Sequence, residues 1–465
     1  MSRILIVGAA PLPFENQKKN YALNNRTWLV SKALKEEDHQ VLLIASRVKG
    51  AYYDEESQPD ILYREIDANF AYCSIRRQTF GISLLNRYAR DFRPDCIVGV
   101  GTPLSSYAVK IKSEKPKWAD LFGSLLAEAQ VKARVYDDDF YSFYWRSLEL
   151  ITLKKADKFS TVSMPQRFCV IGELGILGRL NKHTVDYEFV HVMPIAVDEE
   201  PFQHTKWIIR NKKVADDDFV IFWSGGYNTW TDVDTLFEGL VKAMAQNGKI
   251  KFVSTGGAIE RHDDLTFSKF KEKVQHSKFS DNFIFLGWIP TQDVGNCYLE
   301  SDAGINIDRF SYEAVLGARN RINEMIKAGL PVITTKISEI SQTIDEKEFG
   351  LTFQVGDSDG LAKAILALAG SSGLLNGLKN NLKSFPFNDF SYKKIMQPLK
   401  EWVQNPKPAP DSGRRISRSN IYFLPRTRYL MRDASSILKS KGVKELIGQV
   451  FLFFKGKIKG QFKRK

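Results

Sequence analysis

Short apolar runs rich in valine, isoleucine and leucine recur along the chain, separated by stretches whose apolar positions return every three or four residues. In the first half, runs at 3–7, 40–45, 96–99, 117–120, 159–162 and 189–193 predict strands, with helices over 24–35, 105–112 and 143–155. The second half repeats the alternation more cleanly. Strands are expected at 219–223, 251–254, 283–286, 304–307 and 331–334, with helices near 232–246, 265–276, 291–300 and 317–328. Uninterrupted apolar strands between amphipathic helices imply parallel sheets covered on both faces. Residues 200–216 are polar, without a period, and read as a linker. A further helix falls at 361–369 and a last one at 389–403, before Pro406, Pro408 and Pro410 break the chain. The expected fold class is α/β: two Rossmann-like βαβ domains, 1–199 and 217–388, facing a central cleft, then a closing helix over 389–404 and a basic tail over 405–465.

Charge sharpens this picture at one end. The chain of 465 residues is too long for one compact core and carries a formal net charge of +13. Residues 405–465 hold that whole excess, so the body is neutral. Within the tail, Val443, Ile447, Val450, Phe451, Phe454, Ile458 and Phe462 recur at helical spacing, with Lys441, Lys444, Lys455, Lys457 and Lys459 mainly between them. An apolar, phenylalanine-bearing face opposite a lysine-rich one predicts a helix lying in an anionic membrane surface through residues 414–465. No run of about twenty apolar residues predicts a spanning helix, and residues 2–14 read as a buried strand and turn, not a signal peptide. The expected location is cytoplasmic, peripheral at the inner face of the plasma membrane. Cys73, Cys96, Cys169 and Cys297 are scattered and read as free thiols.

Several chemistries find no support. The six histidines show no paired spacing, so no metal site is expected. Asp137-Asp138-Asp139 stands in a loop without a matching strand context. Gly8-Ala9-Ala10-Pro11 after the first strand is too poor in glycine for a dinucleotide fingerprint. A neutral body without a basic, aromatic-bearing motif argues against nucleic acid.

Residues 302–335 are the most informative stretch. A strand ending at Ile307 is followed by a polar loop with Asp308, Arg309 and Glu313, then a helix opening near Gly317 with Arg319, Asn320, Arg321 and Glu324. Free N–H groups at such a helix start favour an anion. Two arginines there suit a diphosphate, and a carboxylate on the same helix can accept bonds from ribose hydroxyls. Gly225 and Gly226, after strand 219–223, allow close backbone approach to phosphates. Asn228 and Trp230 lie in the loop expected to cover the same ligand. Gly8 and Ala9 are expected to face the acceptor from the first domain, as is Asp120 at the end of strand 117–120.

With these residues in place, the chain resembles the GT-B glycosyltransferases, in particular the retaining group 1, family 4-like enzymes with a Glu-x7-Glu signature. The matches run in order across residues 1–404: Met193-Pro194-Ile195-Ala196-Val197-Asp198, Phe222-Trp223-Ser224-Gly225-Gly226, Phe285-Leu286-Gly287-Trp288-Ile289-Pro290, and Glu324 to Pro331. The strict signature is absent, because the position eight before Glu324 is Leu316. A related pattern of Glu, Arg-x-Arg and Glu fits Glu313, Arg319, Arg321 and Glu324. The family's Arg and Lys pair after the first strand of the second domain is also missing.

The resemblance implies transfer of a sugar from a nucleoside-diphosphate sugar to a glycan or lipid-linked acceptor, with retention, in bacterial polysaccharide or glycolipid assembly. It requires no cofactor. It assigns ribose binding to Glu324, the donor sugar or anomeric centre to Glu313, diphosphate binding to Arg319 and Arg321, and acceptor positioning to Asp120. A sugar-nucleotide epimerase on the same fold and a non-catalytic nucleotide-sugar-binding scaffold are the alternatives.

Overall fold

The computed structural model describes residues 1–259 and 262–413, apart from the side chain of Phe387. The basic amphipathic segment 414–465 lies outside the described residues.

The first sheet contains β1 (Arg3–Ala10), β2 (Gln40–Arg47), β3 (Ile61–Asp67), β4 (Phe70–Ile75), β5 (Cys96–Val100), β6 (Lys117–Leu121), β7 (Lys158–Thr161) and β8 (Val190–Val192). The second contains β9 (Phe219–Trp223), β10 (Ile250–Thr255), β11 (Phe283–Gly287), β12 (Ala303–Asn306), β13 (Val332–Thr335) and β14 (Gly350–Phe353). Their orders are β3-β4-β2-β1-β5-β6-β7-β8 and β11-β10-β9-β12-β13-β14. Every pairing is parallel except β3 with β4.

The apolar runs form the sheet interiors, as their composition demands. Ile4, Ile6, Val98 and Trp118 meet in one core of the first lobe, and Ile221, Trp223, Phe252 and Ile305 in one core of the second. Strand order reverses direction beside β1 and again beside β9. Parallel sheets open a crevice at such points, beyond the carboxyl ends of the strands. In the second lobe the crevice lies between the ends of β9 and β12, so the loops starting at Ser224 and Ile307 line it.

The β3–β4 hairpin is absent from the periodicity reading. Most of β3, with the sequence ILYREID, is exposed. It is an edge strand held by pairing with β4, and its polar residues carry no apolar run to detect.

The polar stretch 200–216 is fastened to the second lobe. The buried Glu300 carboxylate accepts backbone N–H bonds from Ile208, Ile209 and Arg210 at 2.6–3.1 Å, and Arg210 reaches Asp302 at 2.7 Å. After the second lobe the chain returns to the first. The expected 389–403 helix is divided into Tyr392–Ile395 and Gln397–Gln404, with Pro398 in the first turn of the latter. Tyr392, Met396, Leu399 and Val403, at helical spacing, enter the first-lobe core. Each such burial stabilises by about 1.5–3 kcal/mol, so the return segment ties the two lobes together. Arg179 and Asp411 close it with a buried ion pair at 2.9 Å. Among the described residues no single helix is long and apolar enough to cross a membrane.

Candidate active site between the lobes

The loop after β9 sets the floor of the site. Gly225 has φ +83°, and Gly256, with φ +76°, presses against it so closely that a Cβ there would stand 2.2 Å from the Gly225 carbonyl oxygen. A Cβ on Gly226 would come within 2.3 Å of Ile259. These glycines therefore let the loops after β9 and β10 touch backbone to backbone.

The helix expected over 317–328 runs Asn320–Lys327, and a further short helix, Tyr312–Leu316, occupies the stretch expected as a polar loop. The break between them separates two arginines that the sequence presents as a pair. Arg319 turns inward. Its guanidinium donates to Asp308 at 2.8 Å and, through two nitrogens, to Glu313 at 3.1 and 2.8 Å. All three side chains are buried. Such a planar fork satisfied by two carboxylates is not available to a diphosphate. The diphosphate role expected of Arg319 is therefore corrected: it fixes the loop and holds Glu313. Glu313, expected to face a sugar directly, has both oxygens engaged by Arg319.

Arg321 turns outward into the crevice. One nitrogen donates to the Gly226 carbonyl at 2.7 Å, and the guanidinium carbon lies 3.7 Å from the centre of the Trp223 ring. Among the described residues no carboxylate pairs with it. Burial lowers its pKa to about 10, with Asp308 opposing, so it remains a cation at neutral pH. Glu324, three residues on and on the same helix face, is half-buried. Its carboxylate meets no hydrogen-bond donor among the described residues, and burial pushes its pKa up, with Lys327 opposing. The Asn320–Lys327 helix also starts without a side-chain cap, although the Ile322 N–H donates to the Arg319 carbonyl at 3.1 Å.

Trp230 carries the Arg319 guanidinium carbon 5.5 Å from its ring centre, and its edge meets His262 at 6.2 Å. Asn228 begins this turn, its carbonyl accepting from Thr231 at 2.8 Å. Both lie at the crevice.

The first-lobe expectations change more. Gly8 and Ala9 belong to β1 itself, which runs to Ala10. A Cβ on Gly8 would stand 2.3 Å from Thr27, and Ala9 is buried. They seat the Ala22–Lys35 helix on the sheet and do not face an acceptor. Asp120 is fully buried. Arg26 grips it with two bonds at 3.1 and 2.9 Å, and Ser160 donates to it at 2.6 Å. Arg26 also donates to the carbonyls of Met193 and Pro194. Asp120 thus clamps the crossing between lobes and is not exposed to the cleft. Asn323 holds the same crossing from the other side, donating to the Ile195 carbonyl at 2.7 Å.

The sequence reading named Asp308 in the polar loop without giving it its role as a partner of Arg319, and it missed the group formed by Glu128, Lys132 and His262. Glu128 and Lys132, four apart on one helix, carry no motif in the sequence, and the packing of the helix against the loop after β10 buries Lys132. Among the described residues no cluster of His, Cys, Asp or Glu has the geometry to hold a metal ion.

The two arginines differ in a way that unfolding resolves. Arg319→Met leaves two buried carboxylates without their cation and should cost about 3–5 kcal/mol in urea unfolding. Arg321→Met removes one hydrogen bond and should cost about 1 kcal/mol. Equal losses would contradict the assignment of Arg319 to structure and Arg321 to the crevice.

Part of the sequence and the overall fold match known proteins. Residues 218–371 match the family described as glycosyl transferases group 1. No curated protein matches the chain. Among solved structures, sucrose-phosphate synthase from Thermosynechococcus elongatus is 16% identical with a TM-score of 0.63, covering 87% of this chain and 98% of that one. HepE of Anabaena in complex with UDP-glucose is 14% identical with a TM-score of 0.60, covering 87% of this chain and 100% of that one. An α,α-trehalose-phosphate synthase from Burkholderia xenovorans, in complex with glucose-6-phosphate, is 12% identical with a TM-score of 0.60, covering 86% and 100%. At these identities the likeness establishes the two-lobed GT-B fold. Residues 218–371 carry a group 1 glycosyl transferase domain within that fold, and the chain is a glycosyltransferase.

Proposed function

We propose that the crevice beyond β9 and β12 binds a nucleoside-diphosphate sugar, and that the sugar passes to a hydroxyl of a glycan or lipid-linked acceptor seated against the first lobe. The observation that carries this reading is the pairing of an uncompensated, desolvated Arg321 with a free Glu324 on one helix face above Gly225 and Gly226. Arg321 and the open helix start take the diphosphate. Glu324 accepts from the ribose hydroxyls. Trp230 and Asn228 border the donor, and Arg319 keeps Glu313 fixed beside it. The UDP-glucose in the HepE complex supports a donor of this class.

The acceptor oxygen forms a bond to the anomeric carbon as the carbon–oxygen bond to diphosphate breaks. The electron pair leaves with the diphosphate, and the hydroxyl proton passes to a diphosphate oxygen on the same face, which gives retention. Arg321 stabilises the charge that develops there, in a site where water is scarce. No cofactor is required. The family match and the position of the site within residues 218–371 support this chemistry over epimerisation or mere binding.

We place the reaction in bacterial polysaccharide or glycolipid assembly, at the inner face of the plasma membrane, with residues 414–465 as the contact to anionic lipid. Each basic residue near such a surface adds about 1 kcal/mol.

A thermal-shift screen of nucleoside-diphosphate hexoses tests the donor. A matching donor at a hundred times its Kd should stabilise by about 2.7 kcal/mol, and Glu324→Ala should weaken it about tenfold. A flat screen would contradict the reading. Removal of residues 414–465 should leave the melting temperature of the body unchanged and abolish co-sedimentation with phosphatidylserine vesicles at low salt. Unchanged sedimentation would remove the membrane assignment.

A further inference from the structure

The helix Leu125–Tyr136 leaves the first sheet just after β6, its first turn capped by Ser124. It packs across the cleft on the Tyr312–Leu316 helix and on the loop that follows β10. Glu128, Lys132 and Tyr136, at i, i+4 and i+8, face the second of these, and two of them hydrogen-bond to it. Lys132, almost fully buried, donates to the His262 carbonyl at 2.5 Å and stands 5.1 Å from the ring centre of Tyr141 and 5.8 Å from that of Trp145. The Tyr136 hydroxyl accepts from the Asp264 backbone at 3.3 Å. Glu128, at the end of the row that starts beside β6, is the exception. Lys132, its natural i+4 partner, is drawn away to the loop. His262 Nε2 stays 3.6 Å from the carboxylate, outside hydrogen-bond range, and burial with the Lys132 charge holds that histidine neutral, its pKa lowered to about 3. Among the described residues no donor reaches the Glu128 carboxylate, which retains 21% exposure.

The other acids around the cleft are occupied. Asp120 is held by Arg26 and Ser160, Asp308 and Glu313 by Arg319, and Asp263 by the start of the Leu265–Gln275 helix. Glu324 lies on the nucleotide side. The Glu128 carboxylate, mostly shielded but still open on one side, has no protein donor among the described residues and stands on the first lobe beside the Tyr312–Leu316 helix and the His262 loop of the second.

We propose that Glu128 is the residue of the first lobe that receives the acceptor: its carboxylate accepts a hydrogen bond from a hydroxyl vicinal to the attacking one, or from the second O–H of a water that takes the acceptor's place. The ligand class is a polyhydroxylated acceptor. This rests on the reading of the cleft as the site of sugar transfer. A carboxylate suits the task because it accepts two or more bonds and donates none when ionised. Removing one charge-assisted bond of this kind costs tenfold to about a hundredfold.

Burial pushes the Glu128 pKa up to about 7, with Lys132 opposing and Glu313 reinforcing. Among the described residues, the charged and titratable groups that act on it are Lys132 on its own helix, His262 on the loop after β10 and Glu313 on the Tyr312–Leu316 helix. Glu128 is therefore an ionised acceptor above about pH 7 and a neutral acid below, so its contribution should rise with pH and level off.

The test uses the full chain, with wild type, Glu128→Gln and Glu128→Ala. UDP- and GDP-hexoses are screened for the rise in Tm, and release of nucleoside diphosphate from the strongest binder into water is followed between pH 5 and 9. In wild type the turnover rises through an inflection near 7. Glu128→Ala lowers kcat at pH 8 at least tenfold. Glu128→Gln, whose amide oxygen still accepts, loses less but also loses the inflection. Both keep the KM for donor and the donor-induced rise in Tm. Equal turnover and an unchanged inflection in the variants, including no turnover from any of the three, overturn the proposal. A variant that loses the donor-induced rise in Tm overturns it as well, because Glu128 then serves the donor or the fold. Absence of any donor-induced rise in wild type overturns the donor reading itself.

Discussion

One buried ion-pair triad decides what the cleft can do. Arg319 satisfies Asp308 and Glu313 together, which holds the loop after β12 against the short Tyr312–Leu316 helix at the start of the Asn320–Lys327 helix. Once that cation is consumed, the positive charge at the crevice falls to Arg321, two residues later. Arg321 is desolvated, leans on Trp223 and, among the described residues, has only a backbone carbonyl as hydrogen-bond partner. A cation held this way gains most from an anionic ligand, because the ligand supplies the compensation that the protein withholds. In the proposed function the satisfied arginine keeps the site rigid and the unsatisfied one receives the ligand.

The second constraint is the crossing between lobes. Arg26 and Asp120 hold residues 193 and 194 from the first lobe, while Asn323 holds residue 195 from the helix that carries Arg321 and Glu324. The donor-side helix is thereby referenced to the first sheet through a few hydrogen bonds. The return segment, with Tyr392, Met396, Leu399 and Val403 in the first-lobe core, makes a second tie. Two lobes joined at two places can keep an acceptor-side group such as Glu128 in register with a donor bound some distance along the chain.

Much of the fold was legible because parallel strands buried on both faces must be apolar throughout, as in β1, β9 and β13. The β3–β4 hairpin was not, since an exposed edge strand such as ILYREID carries no apolar signature. In the site, the Arg321–Glu324 face and the glycines at 225 and 226 followed from helix spacing and turn chemistry. The distribution of work between Arg319 and Arg321 did not. Sequence shows two guanidiniums, and only the position of Asp308 and Glu313 tells which of them is already neutralised. Asp120 illustrates the same limit: a carboxylate at a strand end is equally consistent with a cleft acid and a buried clamp until Arg26, ninety-four residues away, is placed beside it. Glu128 was hidden for a different reason. No motif marks it, and its setting follows from the packing that turns Lys132 to the His262 carbonyl.

The most direct test is a crystal structure of the full chain with its nucleoside diphosphate bound. The account predicts diphosphate oxygens within hydrogen-bond distance of the Arg321 guanidinium and the first N–H groups of the Asn320–Lys327 helix, the ribose hydroxyls on Glu324, and Arg319 still paired with Asp308 and Glu313. A diphosphate bound to Arg319, or seated away from the crevice with Arg321 still turned to the Gly226 carbonyl, would contradict it.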